Sequence, residues 1–310
     1  MMEIADSKIK LKILITGGSG LVGSHLIPLL LSKGYNVSCL TRGSDLFPGI
    51  NTYKWDPERG IIEPNAIDGI DYIVHLAGAN IGEKRWTKER KKEIAGSRVN
   101  SAIFLHHLVR EKGVKLKAFI SASATGYYGS VTSEKIFREE DPPSEDFLGT
   151  TCRQWEEAAD LFSKSGIRTV KIRTAVVLEK NDSALTKLMR PATYGLVIRT
   201  GNGRQFMPWI HFSDLCKIYL KAIEDPDVSG AYNAASPHHV THNEFMVTLA
   251  EILKKPVILP PVPAFIIRAF IGEMADVILN GSRISSEKIT KAGYKFVFNN
   301  LEDALNDIVN

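Results

Sequence analysis

Lys12-Ile-Leu-Ile-Thr-Gly-Gly-Ser-Gly-Leu-Val-Gly23 is the stretch on which the reading of the fold turns. Ile13, Leu14 and Ile15 form a short, wholly apolar run of the kind buried in a parallel sheet. Gly17, Gly20 and Gly23 follow at once, and a helix-like apolar run begins by Leu21. Strand, glycine turn and helix start together point to a dinucleotide site, which the glycines alone would not. One glycine permits the tight turn, one lets backbone approach a pyrophosphate, and one lets helix and strand pack closely. Free N–H groups and the helix dipole then hold the phosphate charge.

Outward from this unit, strands and helices alternate. The first helix continues through Leu26 to Lys33 and stops at Gly34, with a kink expected at Pro28. Strands are expected at 36–41, 71–76, 118–121 and 168–177, and helices at 87–112, 151–164, 210–223 and 243–253. Residues 129–149 read as a polar loop. The alternation implies right-handed βαβ crossovers, hence an α/β, Rossmann-type doubly wound parallel sheet. Residues 10–178 are expected to form an NADP-binding Rossmann domain to which 205–235 return. Residues 179–204 and 236–310, richer in glycine, proline and short elements, then make a smaller mixed α/β C-terminal substrate region. A small-molecule substrate would sit in the cleft between the two, where the carboxyl ends of the strands open.

Composition narrows the field. A formal charge of +4 is too small to argue for nucleic acid, and the basic run at 84–92 is interleaved with Glu83, Glu89 and Glu93. No apolar stretch reaches membrane-spanning length. The N-terminus is too polar for a signal peptide, and Cys39, Cys152 and Cys216 fit neither a disulfide framework nor a metal site. A reducing, cytoplasmic setting and no metal are expected. Which nucleotide is bound turns on the end of the second strand, Leu40-Thr41-Arg42-Gly43-Ser44. An NAD site places a carboxylate there, about 20 residues past the glycines, on the ribose 2′-OH. Here Arg42 can pair with a 2′-phosphate, and Thr41 or Ser44 can add a hydroxyl, so NADP(H) is expected over NAD.

Several segments together resemble one family. They are Thr16-Gly-Gly-Ser-Gly-Leu-Val-Gly23, His75-Leu-Ala-Gly-Ala-Asn80, Arg85-Trp-Thr87, Ser97-Arg-Val99, Ser121-Ala-Ser-Ala-Thr-Gly-Tyr-Tyr-Gly129, Trp155-Glu156 and Gly203-Arg-Gln-Phe-Met-Pro-Trp-Ile-His211. Gly272-Glu273 and Gly293-Tyr-Lys-Phe296 extend the match nearly to the end. The chain resembles an atypical extended short-chain dehydrogenase/reductase of the branch labelled epimerase family protein or NAD-dependent epimerase/dehydratase. The resemblance implies a cofactor set of Gly17, Ser19, Gly20, Leu21, Val22, Gly23, Thr41, Arg42, His75, Leu76, Ala77, Gly78, Arg98 and Ser121. It also implies an NADP(H)-dependent oxidoreductase or epimerase acting on a carbonyl, sugar or nucleotide-sugar substrate.

The same resemblance exposes a gap. Hydride-transfer relatives use a Ser or Thr with a Tyr-x-x-x-Lys pair, whose lysine lowers the tyrosine pKa for proton exchange. Ser123 matches the serine, but Leu148 stands for the tyrosine and Cys152 for the lysine; a shift by one gives Phe147 and Thr151. Arg98 stands where many relatives carry an asparagine. Met207 stands four residues before His211, where nucleotide-sugar relatives often carry an arginine, and Arg204 is the nearest alternative. Two readings follow: chemistry through Tyr127 or Tyr128 with Ser123, with Cys152 a weaker candidate, or a catalytically weak NADP(H)-binding redox sensor or regulator. His75 reads chiefly as support for its loop, and His211 with Asp214 as a link between the sheet and the C-terminal region.

Overall fold

The computed structural model describes residues 10–43, 49–181 and 184–309; Ser44 lies outside them. The strands are β1 Lys12–Thr16, β2 Asn36–Thr41, β3 Asn51–Asp56, β4 Ile61–Ile62, β5 Tyr72–His75, β6 Ala118–Ala124, β7 Ile136–Phe137, β8 Arg168–Thr174, β9 Val176–Leu178, β10 Val197–Thr200, β11 Trp209–His211, β12 Gly230–Ala234, β13 Val257–Val262 and β14 Arg283–Ile284. The α-helices are α1 Leu21–Ser32, α2 Lys88–Glu111, α3 Phe147–Lys164, α4 Ala184–Met189, α5 Phe212–Glu224, α6 His242–Leu253, α7 Ala264–Ile271, α8 Ala275–Leu279, α9 Glu287–Lys291 and α10 Leu301–Val309.

One eight-stranded sheet runs in the order β12-β8-β6-β5-β1-β2-β3-β4. Every neighbouring pair is parallel except β3 with β4. The order reverses at β1, with β2 on one side and β5 on the other, which is where such sheets open a ligand crevice. Alternation along β1 shows why helices must cover both faces. Ile13 and Ile15 pack with Leu26, Ile27 and Leu30 of α1 and with Ile218 and Tyr219 of α5. Leu14 points the other way, into Leu105 and Val109 of α2 and Phe162 of α3.

A third core, built from Leu178, Leu185, Val197, Trp209, Phe245, Leu249, Leu301 and Leu305, belongs to the C-terminal region. Residues 209–234 bridge the two parts: Trp209 packs in this third core, whereas α5 and β12 join the main sheet. The join is pinned by Asp214, which is fully buried. Its carboxylate accepts from the Tyr294 hydroxyl (2.6 Å) and from the N–H groups of Val297 (2.9 Å) and Phe298 (3.0 Å). His211 beside it is buried against the Phe298 ring, centroids 3.8 Å apart.

Helix α1 runs across Pro28, which is exposed. Two local expectations change. The expected loop at 129–149 holds β7, and α3 begins at Phe147 because the Asp146 carboxylate caps it through the Gly149 N–H (2.8 Å). Strands β3 and β4, absent from the sequence reading, carry the sheet past β2.

Candidate functional site

The glycines are held where no side chain fits. Gly17 has φ +72°, and a Cβ there would stand 2.9 Å from the Ala77 nitrogen. A Cβ on Gly23 would meet the Gly17 carbonyl oxygen and the Gly18 Cα at 2.6 Å. The β1–α1 turn is therefore wedged between the helix start and the chain leaving β5. Gly20 sits at the helix N-cap with no side-chain cap, and its N–H returns to the Gly17 carbonyl (3.0 Å). The first turn of α1 carries no acidic residue, so its N–H groups and dipole remain available to an anion.

His75 fixes the facing strand. The N–H groups of Leu76 (3.2 Å) and Ala77 (3.1 Å) donate to Thr16 Oγ1, whose own proton therefore goes to His75 Nδ1 (2.8 Å). Ser101 donates to the Ser97 carbonyl (2.7 Å), which leaves its oxygen to accept from His75 Nε2 (3.1 Å). The neutral Nε2–H tautomer satisfies every partner. Complete burial pushes the imidazole pKa down to about 4, so the ring stays neutral. His75 thus ties β1, β5 and α2 together beneath the cavity and does not line it.

That cavity, about 310 Å³, runs over the carboxyl ends of β1, β2 and β5. Of the residues expected to bind cofactor, Gly17, Ser19, Gly20, Thr41, Arg42, Leu76, Ala77 and Gly78 line it; Leu21, Val22, Gly23, His75, Arg98 and Ser121 do not. The sequence reading missed the wall made by Trp55, Asp56, Pro57 and Glu58 at the end of β3, and by Ser97, Asn100 and Ser101 of α2. Arg42 is exposed at the end of β2, while the Asp56 carboxylate accepts from its own turn at Glu58 N (3.1 Å). Arg98 lies behind Gly78. Its guanidinium donates to the Ala79 (3.0 Å) and Ile94 (2.8 Å) carbonyls and covers the Trp155 ring at 5.2 Å. Ser121 donates to the Ala122 carbonyl (2.9 Å) and is buried.

The catalytic candidates separate. Ser123 is buried and donates to Glu156 Oε1 (2.7 Å). Arg173 grips the same carboxylate through Nε (2.8 Å) and Nη2 (2.9 Å) and also donates to the Tyr128 hydroxyl (2.9 Å). Tyr128 in turn donates to Asn233 Oδ1 (2.7 Å), and burial raises its pKa. Ser123 and Tyr128 are thus engaged in one buried network. Tyr127 is half-buried, with the Arg173 guanidinium 3.5 Å above its ring. Burial raises its pKa against the pull of Arg173, so the phenol is protonated at neutral pH. Burial, aided by Glu156, pushes the Cys152 thiol up to about 12, so it is no thiolate. A Cβ on Gly126 would meet Leu148 at 3.4 Å and Cys152 at 3.9 Å, so the turn carrying Tyr127 abuts both side chains. Among the described residues no three His, Cys, Asp or Glu side chains gather to hold a metal ion, and no helix is long and apolar enough to cross a membrane.

Residues 13–235 match the NAD dependent epimerase/dehydratase family. The chain belongs to that family. Residues 262–308 match a separate domain of unknown function, DUF1731. An epimerase family protein of Mycobacterium leprae is 33% identical over 303 residues, covering 97% of each chain. The epimerase family protein YfhF of Bacillus subtilis is 34% identical over 301 residues, covering 96% of this chain and 98% of its own. Among solved structures, human epimerase family protein SDR39U1 with NADPH superposes with a TM-score of 0.84. It is 29% identical, with 96% of this chain and 99% of that one covered. The epimerase-family reading therefore holds, and the Rossmann-type central sheet with it.

The neutral His75 of this epimerase-family protein makes stability depend on pH. Its folded pKa lies below the unfolded value of about 6.5, so the unfolded chain binds the proton first. The contribution is whole above pH 6.5 and is lost as pH falls towards 4, amounting to about 3 kcal/mol at most. Urea denaturation of the wild type and of His75→Asn should show a steeper loss in the wild type across that window; parallel curves would contradict the assignment.

Proposed function

We propose that this protein binds NADP(H) in the cavity over β1, β2 and β5 and exchanges hydride with a small carbonyl or alcohol substrate, Tyr127 carrying the proton. The observation that supports the reading most is the glycine turn at Gly17 and Gly23, with no room for a Cβ and with the uncapped start of α1 beside it. A dinucleotide fits these residues: backbone can approach the pyrophosphate, the α1 N–H groups meet its charge, and Arg42 stands where a 2′-phosphate would lie. The human relative solved with NADPH supports the phosphorylated cofactor.

The bound nicotinamide supplies or accepts a hydride; the chain supplies the surroundings. Leu148 and Cys152 present an apolar and a neutral group in place of the usual pair, and the nearby charges are those of Arg98 and of the Arg173–Glu156 ion pair. The Tyr127 phenol, protonated at neutral pH, can donate to a carbonyl oxygen, which favours reduction. Arg173 over its ring steadies the phenolate left behind. The substrate is placed between the sheet and the region that α4 and α7 bring over it. Lys187 of α4 donates to the Gly82 carbonyl (3.0 Å), and Lys91 of α2 pairs with Glu273 beyond α7.

Two outcomes follow. Isothermal titration should show NADPH binding weakened about 10–100-fold by Arg42→Ala, with NADH affinity little changed. Equal wild-type affinity for the two cofactors, unmoved by the substitution, would sink the NADP preference. Steady-state NADPH consumption over a carbonyl panel should fall at least about 100-fold in Tyr127→Phe with cofactor affinity kept. An unchanged rate would remove Tyr127 from the mechanism, and a wild type that binds NADPH yet turns over nothing would favour the sensor reading.

A further inference from the structure

Away from the cofactor cavity, one cluster of polar side chains is left incomplete. It lies where β10 meets the turn at 201–206 and the start of α6. Arg199 Nη1 donates to Asn243 Oδ1 (2.6 Å), and Thr200 Oγ1 bonds His242 Nε2 (3.1 Å). Gln205 uses both amide hydrogens, on the carbonyls of Thr200 (3.3 Å) and Ile278 (3.0 Å). The register of β10 against β13 shifts between Ile198 and Thr200, an irregularity of the kind that re-aims a side chain. Gly203, at φ +72°, brings the turn against Asn243, where a Cβ would stand 3.1 Å from the Asn243 Cβ.

Three buried atoms in this cluster have no partner: Arg199 Nε, Gln205 Oε1 and His242 Nδ1. Gln205 and His242 are only 2% and 4% exposed, so bulk water does not serve them. Orphans of this kind are rare in native interiors, and three of them fall in this one bonded cluster. Among the described residues no carboxylate stands within ion-pair distance of Arg199. Arg199 and Asn243 are half-buried and give the cluster a way out to solvent. The cluster belongs to the region whose helix α4 touches the cofactor loop at Gly82.

We propose that Arg199, Gln205, His242 and Asn243 form a subsite for an oxyanion that also carries a hydroxyl hydrogen, the polar end of the substrate. The guanidinium Nε–H donates to the anion, and the Gln205 carbonyl oxygen accepts the hydroxyl. His242, which burial keeps neutral by pushing its pKa down to about 4, adds one further bond without adding charge. Arg199 is then the cluster's single cation, suited to one negative charge. Phosphate monoesters in their singly protonated form and hydroxy-carboxylates share this chemistry. The inference rests on the proposed function for what the anion is attached to, and not for the subsite itself.

The test uses the full chain saturated with NADPH, which blocks the helix α1 terminus. Inorganic phosphate, glycolate and acetate are titrated separately by calorimetry at pH 7. Saturable binding of phosphate marks a phosphate-type substrate and of glycolate a hydroxy-carboxylate. Acetate, lacking the hydroxyl, should bind at least about 10-fold more weakly than the better of the two. Arg199→Gln should weaken that better probe at least about 10-fold with NADPH affinity unchanged. Arg199→Lys, which keeps the charge and loses Nε–H, should fall between and covers the case in which Arg199→Gln does not fold. No saturable heat from either hydroxylated probe, or wild-type affinity in the folded Arg199 variants, would overturn the subsite and leave its orphans to water. Nicotinamide fluorescence in the same samples reports NADPH binding, so a failed cofactor reading is seen separately.

Discussion

Backbone meets backbone at Gly17 and Gly23, and the rest of the site depends on that closeness. The β1–α1 turn, the first turn of α1 and the chain leaving β5 occupy one small volume, and a Cβ on either glycine would enter the van der Waals space of main-chain atoms. Main chain cannot swing aside as a side chain can, so the constraint falls on the residue type. Thr16, His75 and Ser101 hold the segments in that arrangement from below, through hydrogen bonds that leave no donor or acceptor of the imidazole unused. The packed glycines bring α1 to the sheet, the sheet order opens the crevice at β1, and Gly17 to Gly20, just ahead of α1, line it.

At the other end of the site, the candidate groups Ser123 and Tyr128 are joined in one buried network. Ser123, Glu156, Arg173, Tyr128 and Asn233 form a continuous buried chain joining β6, α3, β8 and β12. Glu139 extends it by accepting from the Asn233 N–H (2.8 Å). A buried ion pair is costly to break, since removing one partner strands the other charge. Tyr127 sits at the margin of this network, touched by Arg173 through its ring, and that difference from Tyr128 separates two adjacent residues of the same type.

The sequence made the centre of the fold legible and its edges obscure. Strands β1, β2, β5, β6 and β8 are buried on both faces and read as apolar or β-branched runs, and α2 announced itself through Thr87 and Gly113. Strand β3, Asn51–Asp56, buries only Trp55 fully, so its mixed composition gave no strand signal. Its loss hid the Trp55-to-Glu58 wall of the cavity. Strand β12 lies at the far edge, and the two-stranded ladders are too short for periodicity to register. The glycine turn was readable because Gly17 to Gly23 are contiguous, and Arg42 lies at a fixed offset from them at the end of β2. The network that occupies Ser123 and Tyr128 joins residues far apart in the chain, Tyr128 and Asn233 among them, and no local pattern reports such pairing.

Titration of NADPH into Gly23→Ala, beside the wild type, tests the central claim most directly. The account predicts one saturable site in the wild type. In the variant, at concentrations that saturate the wild type, it predicts no binding, while a cooperative thermal melt shows that the sheet still forms. Wild-type affinity in Gly23→Ala would contradict the claim that this close approach of main chain builds the cofactor site.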